Sequence, residues 1–236
     1  MSEHRLYLDF PGRLVIVGFG CIGQGLLPLI QRHIGIRPAM ITVIAGDAAG
    51  RAVAEQAGVR LLTHLLRPDN FRQILDPILG RGDFLLNVAV DVSSLALIDY
   101  ARSRGALYLD TSIEPWPGGY DDPTLALAAR TNYALREQAL ALRVPSPEQP
   151  TAVLTHGANP GLVSHFVKRA LLDLAAATDP VVSIPQQRAG WAELARRLGV
   201  RTIHIAERDT QVSGLRRQAG EFVNTWSVDG FISEAQ

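Results

Sequence analysis

The sequence predicts an α/β fold: a doubly wound parallel sheet of the Rossmann type, followed by the beginning of an α+β substrate domain. Three observations carry this reading. Short apolar runs alternate with longer amphipathic segments up to about residue 160. The first run, Leu14 to Val17, ends in Gly18, Gly20 and Gly23, the G-x-G-x-x-G spacing. A second run, Met40 to Ala45, ends at Gly46 and Asp47, where an acidic side chain can meet a ribose.

Strands are expected near 13–17, 40–45, 59–63, 84–90, 106–109 and 152–156, and helices at 22–34, 48–57, 69–79, 93–104 and 123–143. The first strand is β-branched and apolar, as a strand covered on both faces must be. The glycines after it serve three different needs. Gly18 makes a tight turn, Gly20 lets the backbone approach a pyrophosphate, and Gly23 lets the next helix pack closely on the strand. That helix aims its free N–H groups and positive dipole end at the phosphates. After the second strand, Asp47 can accept hydrogen bonds from both adenosine ribose hydroxyls and would repel a 2′-phosphate, which favours NAD over NADP. The same carboxylate is also placed to cap the helix at 48–57. Pro145, Pro147 and Pro150 mark the last passage back to the sheet.

Residues 1–160 thus read as a dinucleotide-binding domain and 161–236 as an incomplete substrate domain. The latter opens with a helix at 162–177, followed by a helix near 187–198 and strands near 200–206 and 221–228.

With 47% hydrophobic residues among 236, the chain can bury one large core or two modest ones. Its 23 basic residues balance 23 acidic ones, which argues against a nucleic-acid or membrane partner. The opening MSEHRLYLDF mixes charge with apolar residues and reads as no targeting signal, so a cytoplasmic protein is expected. Cys21 is the only cysteine: it can form no internal disulfide, and no Cys/His spacing suggests a metal. Its place at a helix start suits either a lowered thiol pKa or a small residue lining the cofactor turn. Lys168 is the only lysine, which leaves few ways to build an enzyme Schiff base.

Ligands of open parallel sheets gather at the carboxyl ends of the strands. After the strand at 84–90 come Asp91, suited to a place beside the nicotinamide or to a helix cap, and Ser93, suited to a cap. After 106–109 comes Asp110-Thr-Ser-Ile-Glu-Pro-Trp-Pro-Gly-Gly-Tyr120, in which Pro115 and Pro117 restrain Glu114 and Trp116. Glu114 can pair with a cationic substrate or sit in a surface turn. After 152–156 comes Gly157-Ala-Asn-Pro-Gly161, where Pro160 biases Asn159 to an extended backbone and frees its amide to bridge cofactor and substrate. His156 and His165 are acid–base candidates or structural histidines. Further on, Glu207, Trp226 and Glu234 combine acidic and aromatic character. Trp226 can lay its face on an ammonium group or pack in a core, and Glu234 is expected in solvent.

The segments GFGCIGQGLLPLI, DTSIEPWPGGY, RTNYALREQ, VLTHGANPGLVSHFVK and EFVNTWSVDGF together resemble bacterial homospermidine synthase, within the saccharopine dehydrogenase-like group. The resemblance spans nearly the whole chain but only the N-terminal half of such enzymes. It implies an NAD-dependent transfer of an aminobutyl group between putrescine molecules through imines, with loss of ammonia and no net NADH. It further implies a cofactor site of Gly18, Gly20, Cys21, Ile22, Gly23, Asp47, Val90, Asp91, Thr111 and Asn159. Glu114, Asn159, Glu207, Trp226 and Glu234 would form the catalytic set for putrescine and related diamines. A homodimer is implied for the full-length form. The short chain is expected to be a fragment without turnover of its own. A dicationic substrate agrees with a pocket of carboxylates and aromatic faces, and imines formed between substrate amines need no enzyme lysine.

Overall fold

A computed structural model of the chain describes residues 4–120, 122–178, 183–208, 210, 212, 214–221 and 223. The chain divides into two compact units: one runs to Thr155 and includes the described residues from Gly214 onward, and the other spans His156–Ser213.

In the first unit the order is β1 (Leu8–Asp9), β2 (Leu14–Val17), α1 (Cys21–His33), β3 (Ile34–Gly35), β4 (Ile41–Ala45), α2 (Arg51–Gln56), β5 (Arg60–Thr63), α3 (Phe71–Leu75), β6 (Phe84–Asn87), α4 (Ser94–Arg104), β7 (Leu107–Asp110), α5 (Asn132–Ala141) and β8 (Ala152–Val153). Six strands form one parallel sheet in the order β5-β4-β2-β6-β7-β8. This is the doubly wound Rossmann arrangement, in which the winding reverses between β2 and β6 and opens a crevice at their carboxyl ends. Val17 is in register with Ile44 on one side and Asn87 on the other.

All four residues of β2 are buried, and successive side chains serve opposite faces. Val15 and Val17 join Leu85, Leu75, Leu97 and Tyr100 in one core, while Leu14 and Ile16 join Leu27, Val43 and Ala54 in the other. Each such large side chain contributes about 1.5–3 kcal/mol by leaving water. At the opposite end of the strands Asp83 ties β2 to β6. Its Oδ1 accepts the Arg13 backbone N–H at 2.8 Å, and its Oδ2 accepts Arg13 Nε at 2.9 Å and the Gly80 N–H at 2.7 Å.

Several elements are shorter than the sequence suggests. The strand expected at 84–90 stops at Asn87, whose Oδ1 accepts the Ala89 N–H at 3.2 Å and turns the chain. The helix expected at 48–57 begins at Arg51, because Asp47 Oδ1 takes the Ala49 N–H at 2.8 Å in a local turn. The helix expected at 69–79 is regular only over α3 and gives way at Pro77. The helix expected at 123–143 begins at Asn132, where Thr131 caps it by accepting the Ala134 N–H at 3.1 Å. Only Leu127–Ala129 before it makes a 3₁₀ turn. Unforeseen is a small parallel pairing of β1 with β3.

The second unit holds α6 (Leu162–Thr178) and α7 (Arg188–Arg197), joined by a small core of Leu171, Ala175 and Leu194. The strand expected at 200–206 does not form: Ile203 and Ile205 are exposed, and residues 200–208 have no regular structure or strand partner among the described residues. Most of the strand expected at 221–228 lies outside the described residues.

Candidate functional site

The glycine turn connects β2 to α1 at the point where the sheet reverses direction. Gly18 has φ +96°, and a Cβ there would lie 2.6 Å from the Ala89 nitrogen and 2.7 Å from the Val88 carbonyl carbon. Only glycine lets the turn pass the end of β6 this closely. A Cβ on Gly23 would lie 2.5 Å from the Gly18 carbonyl oxygen, so α1 rests directly on the turn. Gly20 is different: nothing lies within 4 Å of the position its Cβ would take. Its backbone is extended, at φ −76° and ψ −155°, which any residue adopts. The missing side chain therefore leaves space rather than relieving strain. The Gln24 side-chain amide donates to the Phe19 carbonyl at 2.8 Å and fixes the turn.

Helix α1 has no side-chain cap and no acidic residue in its first turn. Its positive end therefore favours an anion beside the open face of Gly20. Around this turn the strand ends present Asp47 after β4, Val90 and Asp91 after β6, and Thr111 after β7. Asp47, Cys21, Ile22, Val90 and Asp91 are exposed, and Thr111 is half-buried. A dinucleotide fits this donor set: a concave backbone turn, an uncapped helix for the pyrophosphate and a carboxylate at the next strand end.

The capping alternatives resolve locally. Gly50 rather than Asp47 precedes α2, and Ser93 rather than Asp91 caps α4 by accepting the Ala96 N–H at 3.3 Å. Asp91 instead adopts φ +61°, a left-handed conformation that costs energy in a non-glycine residue and that aspartate tolerates better than most.

Beneath this edge lies a buried polar network. Asn87 and Asp110 are register partners on β6 and β7. The Tyr108 hydroxyl donates to Asp110 Oδ2 at 2.9 Å, and the Thr155 N–H donates to Oδ1 at 2.6 Å. Asn87 Nδ2 donates to the Tyr108 oxygen at 3.4 Å and to the Val92 carbonyl at 3.3 Å. Burial raises the Asp110 carboxyl to about 6, although the Thr155 N–H, Tyr108 and Ser94 favour its charged form. Burial and the neighbouring Asp110 also push the Tyr108 phenol well above its ordinary value.

Glu114 belongs to this layer and is only 6% exposed. Its N–H donates to Ser94 Oγ at 3.0 Å, and its carbonyl accepts the Ser94 N–H at 2.8 Å, so the start of α4 grips the loop after β7. Pro115 is buried beside it, and Trp116 packs on Phe71 with ring centroids 5.7 Å apart. A surface turn is therefore excluded for Glu114. Burial, reinforced by the negative charge of Asp91 and opposed by a hydrogen bond from Tyr120, raises its carboxyl to about 7. A buried carboxylic acid held near neutrality is equipped to accept and release protons.

In the second unit, Asn159 is exposed and joined to Pro160 by a cis peptide, in a loop closed by the Gly157 N–H donating to the Pro160 carbonyl at 2.9 Å. His156 and His165 meet edge to face at 5.3 Å. Lys168 sits over the Trp191 ring at 5.5 Å, a packing role. Glu207 is exposed in an irregular segment. Trp226 and Glu234 lie outside the described residues. Among the described residues no cluster of metal-ligating side chains occurs, and no helix is long and apolar enough to cross a membrane.

The residues that sequence reasoning missed are Asn87, Ser94, Tyr108, Tyr120 and Asn132. Only the parallel register and the fold-back of the Glu114 loop bring them together. Polar residues ending or following apolar strands were the available signal.

Comparison with known proteins agrees with this geometry. Residues 14–153 match the saccharopine dehydrogenase NADP binding domain. The chain is 48% identical over 237 residues to a homospermidine synthase of Blastochloris viridis, covering 99% of this chain and 50% of that protein. It is 42% identical over 234 residues to one of Mesorhizobium japonicum, covering 97% and 48%. The crystal structure of the homospermidine synthase of Legionella pneumophila in complex with NAD superposes with a TM-score of 0.83 at 44% identity, covering 96% of this chain and 47% of that one. The chain thus spans about half the length of the curated relatives it matches.

Proposed function

The chain belongs to the family of the saccharopine dehydrogenase NADP binding domain, and from that premise we propose that residues 1–236 are the dinucleotide-holding half of a homospermidine synthase. The observation that carries the reading is identity of 42–48% along almost the whole chain to enzymes of that name. The proposed reaction joins two putrescine molecules through imines and releases ammonia.

The cofactor proposed is NAD. The family is described by NADP, but a carboxylate at Asp47 accepts ribose hydroxyls and repels a 2′-phosphate. Gly18, Gly20, Cys21, Ile22 and Gly23 would surround the pyrophosphate, with Val90, Asp91, Thr111 and Asn159 toward the nicotinamide. When bound, NAD accepts a hydride from a carbon beside an amine and later returns it. The chain's residues contribute charge and proton handling. An alkylammonium with a pKa near about 10.4 is almost fully protonated at neutral pH and must lose a proton before it can attack. Glu114, with a carboxyl near 7, is the residue we assign to taking it. Its burial also strengthens its attraction for an ammonium group. Glu207, Trp226 and Glu234 are assigned to the same substrate. A cytoplasmic location and a homodimeric full-length form go with this proposal.

The test is an assay of the chain, alone and joined to the C-terminal half of the Blastochloris viridis relative, with NAD and putrescine. Homospermidine detected by mass from the joined form, without net NADH, is the expected result. NADH accumulating in step with substrate loss, and no homospermidine, would replace this reading with an ordinary saccharopine-type or carboxyspermidine-type dehydrogenase. Binding of NAD by both forms with neither homospermidine nor NADH produced would leave a non-catalytic dinucleotide-binding remnant.

A further inference from the structure

Tyr120 closes the loop that carries Glu114, and Asn132 is the first residue of α5. They lie in the segments EPWPGGY and RTNYALREQ, and the function proposed above uses neither. The Tyr120 hydroxyl oxygen lies 2.8 Å from Asn132 Oδ1, 3.1 Å from the Ile113 carbonyl oxygen and 3.4 Å from Glu114 Oε2. A phenol has one hydrogen to donate and lone pairs with which to accept. We infer that Tyr120, anchored on Asn132, is a positioning residue for Glu114, tying its carboxyl group to the first turn of α5 by one hydroxyl hydrogen shared between them.

The tether serves either protonation state by turning the phenol hydrogen. With Glu114 ionised, its oxygen is the strongest acceptor in reach, and the hydroxyl hydrogen turns toward it. With Glu114 neutral, the carboxylic hydrogen goes to the tyrosine oxygen and the tyrosine hydrogen to Asn132. The other groups acting on the carboxylate are Asp91 and Asp110, whose charges oppose ionisation, and the Asp91 N–H, which assists it. Ser94 holds the Glu114 backbone while Tyr120 holds its far end, so the side chain is fixed at both ends. Buried hydrogen-bonded groups fixed in this way make a side chain's orientation reproducible, which a proton acceptor requires. The importance of the tether to turnover rests on the reading of Glu114 in the preceding section, but the tether itself does not.

The test is a titration of the chain labelled with carbon-13 at the glutamate carboxyl groups, read by NMR without NAD or amine. Its outcome is therefore independent of whether homospermidine is made. Glu114 is assigned by loss of its signal in Glu114→Gln. Tyr120→Phe should raise the Glu114 midpoint by about one pH unit, because the ionised form loses a charge-assisted hydrogen bond. Asn132→Ala should lower it by a smaller amount, because the nearest competing acceptor is gone and only the Ile113 carbonyl at 3.1 Å still competes with Glu114 for the hydroxyl hydrogen. Circular dichroism checks the fold of each variant. An unchanged midpoint in a folded Tyr120→Phe variant, or a rise in both variants, overturns the inference. Should Tyr120→Phe fail to fold, Asn132→Ala decides: a lowered midpoint supports the tether, and an unchanged or raised one overturns it.

Discussion

Glu114 carries a measurable cost of burial. Its carboxyl stands near 7 in the folded chain against an ordinary 4.5, so between these values the folded chain holds a proton that the unfolded chain has released. By linkage, the contribution of Glu114 to stability is fully present below about 4.5, falls as pH rises to about 7 and stays reduced above it. A shift of about 2.5 units at 1.36 kcal/mol each sets an upper bound of roughly 3 kcal/mol. Glu114→Gln has no charge to bury and should exceed the wild type in stability at about pH 8, by up to this amount, with the difference vanishing near pH 4. Thermal melts at the two pH values check this, and equal differences at both would show that folding does not shift the Glu114 carboxyl. Asp110, raised to about 6, adds to the same trend. At the proposed ribose site, Asp47 is exposed and accepts the Ala49 N–H in a local turn. Asp47→Ala should leave the melting temperature nearly unchanged while weakening NAD at least tenfold and narrowing the preference over NADP, as read by calorimetric titration. Unchanged affinity for NAD would remove Asp47 from the cofactor site. The places of Asp47 and Glu114 shortly after strand ends were legible in the sequence, because each lies a few residues beyond a strand-like run. Ser94, which grips the Glu114 backbone across 20 residues of sequence, was not, because long-range contacts leave no local pattern.

The glycine turn separates the structural and cofactor-facing roles of an element within six residues. Gly18→Ala places a methyl group against the backbone of β6 at φ +96° and should destabilise the chain by about 3 kcal/mol or more. Gly20→Ala meets no atom within 4 Å and keeps an ordinary backbone. It should melt within about 1 kcal/mol of the wild type and yet lose most of its NAD affinity, because the methyl group fills the space a pyrophosphate would take. Parallel measurements of melting and NAD titration decide the matter. If Gly20→Ala bound NAD normally, the open face of the turn would not be the phosphate site. This turn could be read in the sequence because its geometry is local: a strand, a sharp turn and a helix within one short segment. Element boundaries were harder to read, because side chains at the ends compete with the regular backbone pattern. Asn87, Asp47 and Thr131 each take a nearby N–H and set a limit that apolar periodicity does not mark. For α5 the signal was present, since Thr131 is a good capping residue immediately before the helix.

At the scale of the whole molecule the two units are built to different standards. The parallel sheet was legible because its central strands are covered on both faces and so are largely apolar, as Leu14–Val17 is throughout and Ile41–Ala45 is but for Thr42. Beyond Gly161 only the helices were legible. The alternation at Ile203 and Ile205 resembles a strand, yet a strand forms only where another can pair with it. The difference should appear in the distribution of stability. The first unit closes two extensive cores around Val15, Leu85 and Leu97 and around Ile16, Leu27 and Val43. Among the described residues the core of α6 and α7 is smaller, with Leu171, Ala175 and Leu194 buried and Val167, Trp191 and Leu198 packed against them. A core of this size holds its helices less firmly than the two cores of the first unit hold the sheet. In hydrogen exchange on this chain, the amides of β2, β4 and β6 should exchange only through global unfolding. Those of α6 and α7 should exchange through local opening, at least a hundredfold faster. NAD should slow exchange further across the first unit, because a ligand that binds only the folded state stabilises it by mass action. Leu171 and Leu194 amides as slow as those of Ile16 and Leu85 would mean that the helices and the sheet unfold as one cooperative body.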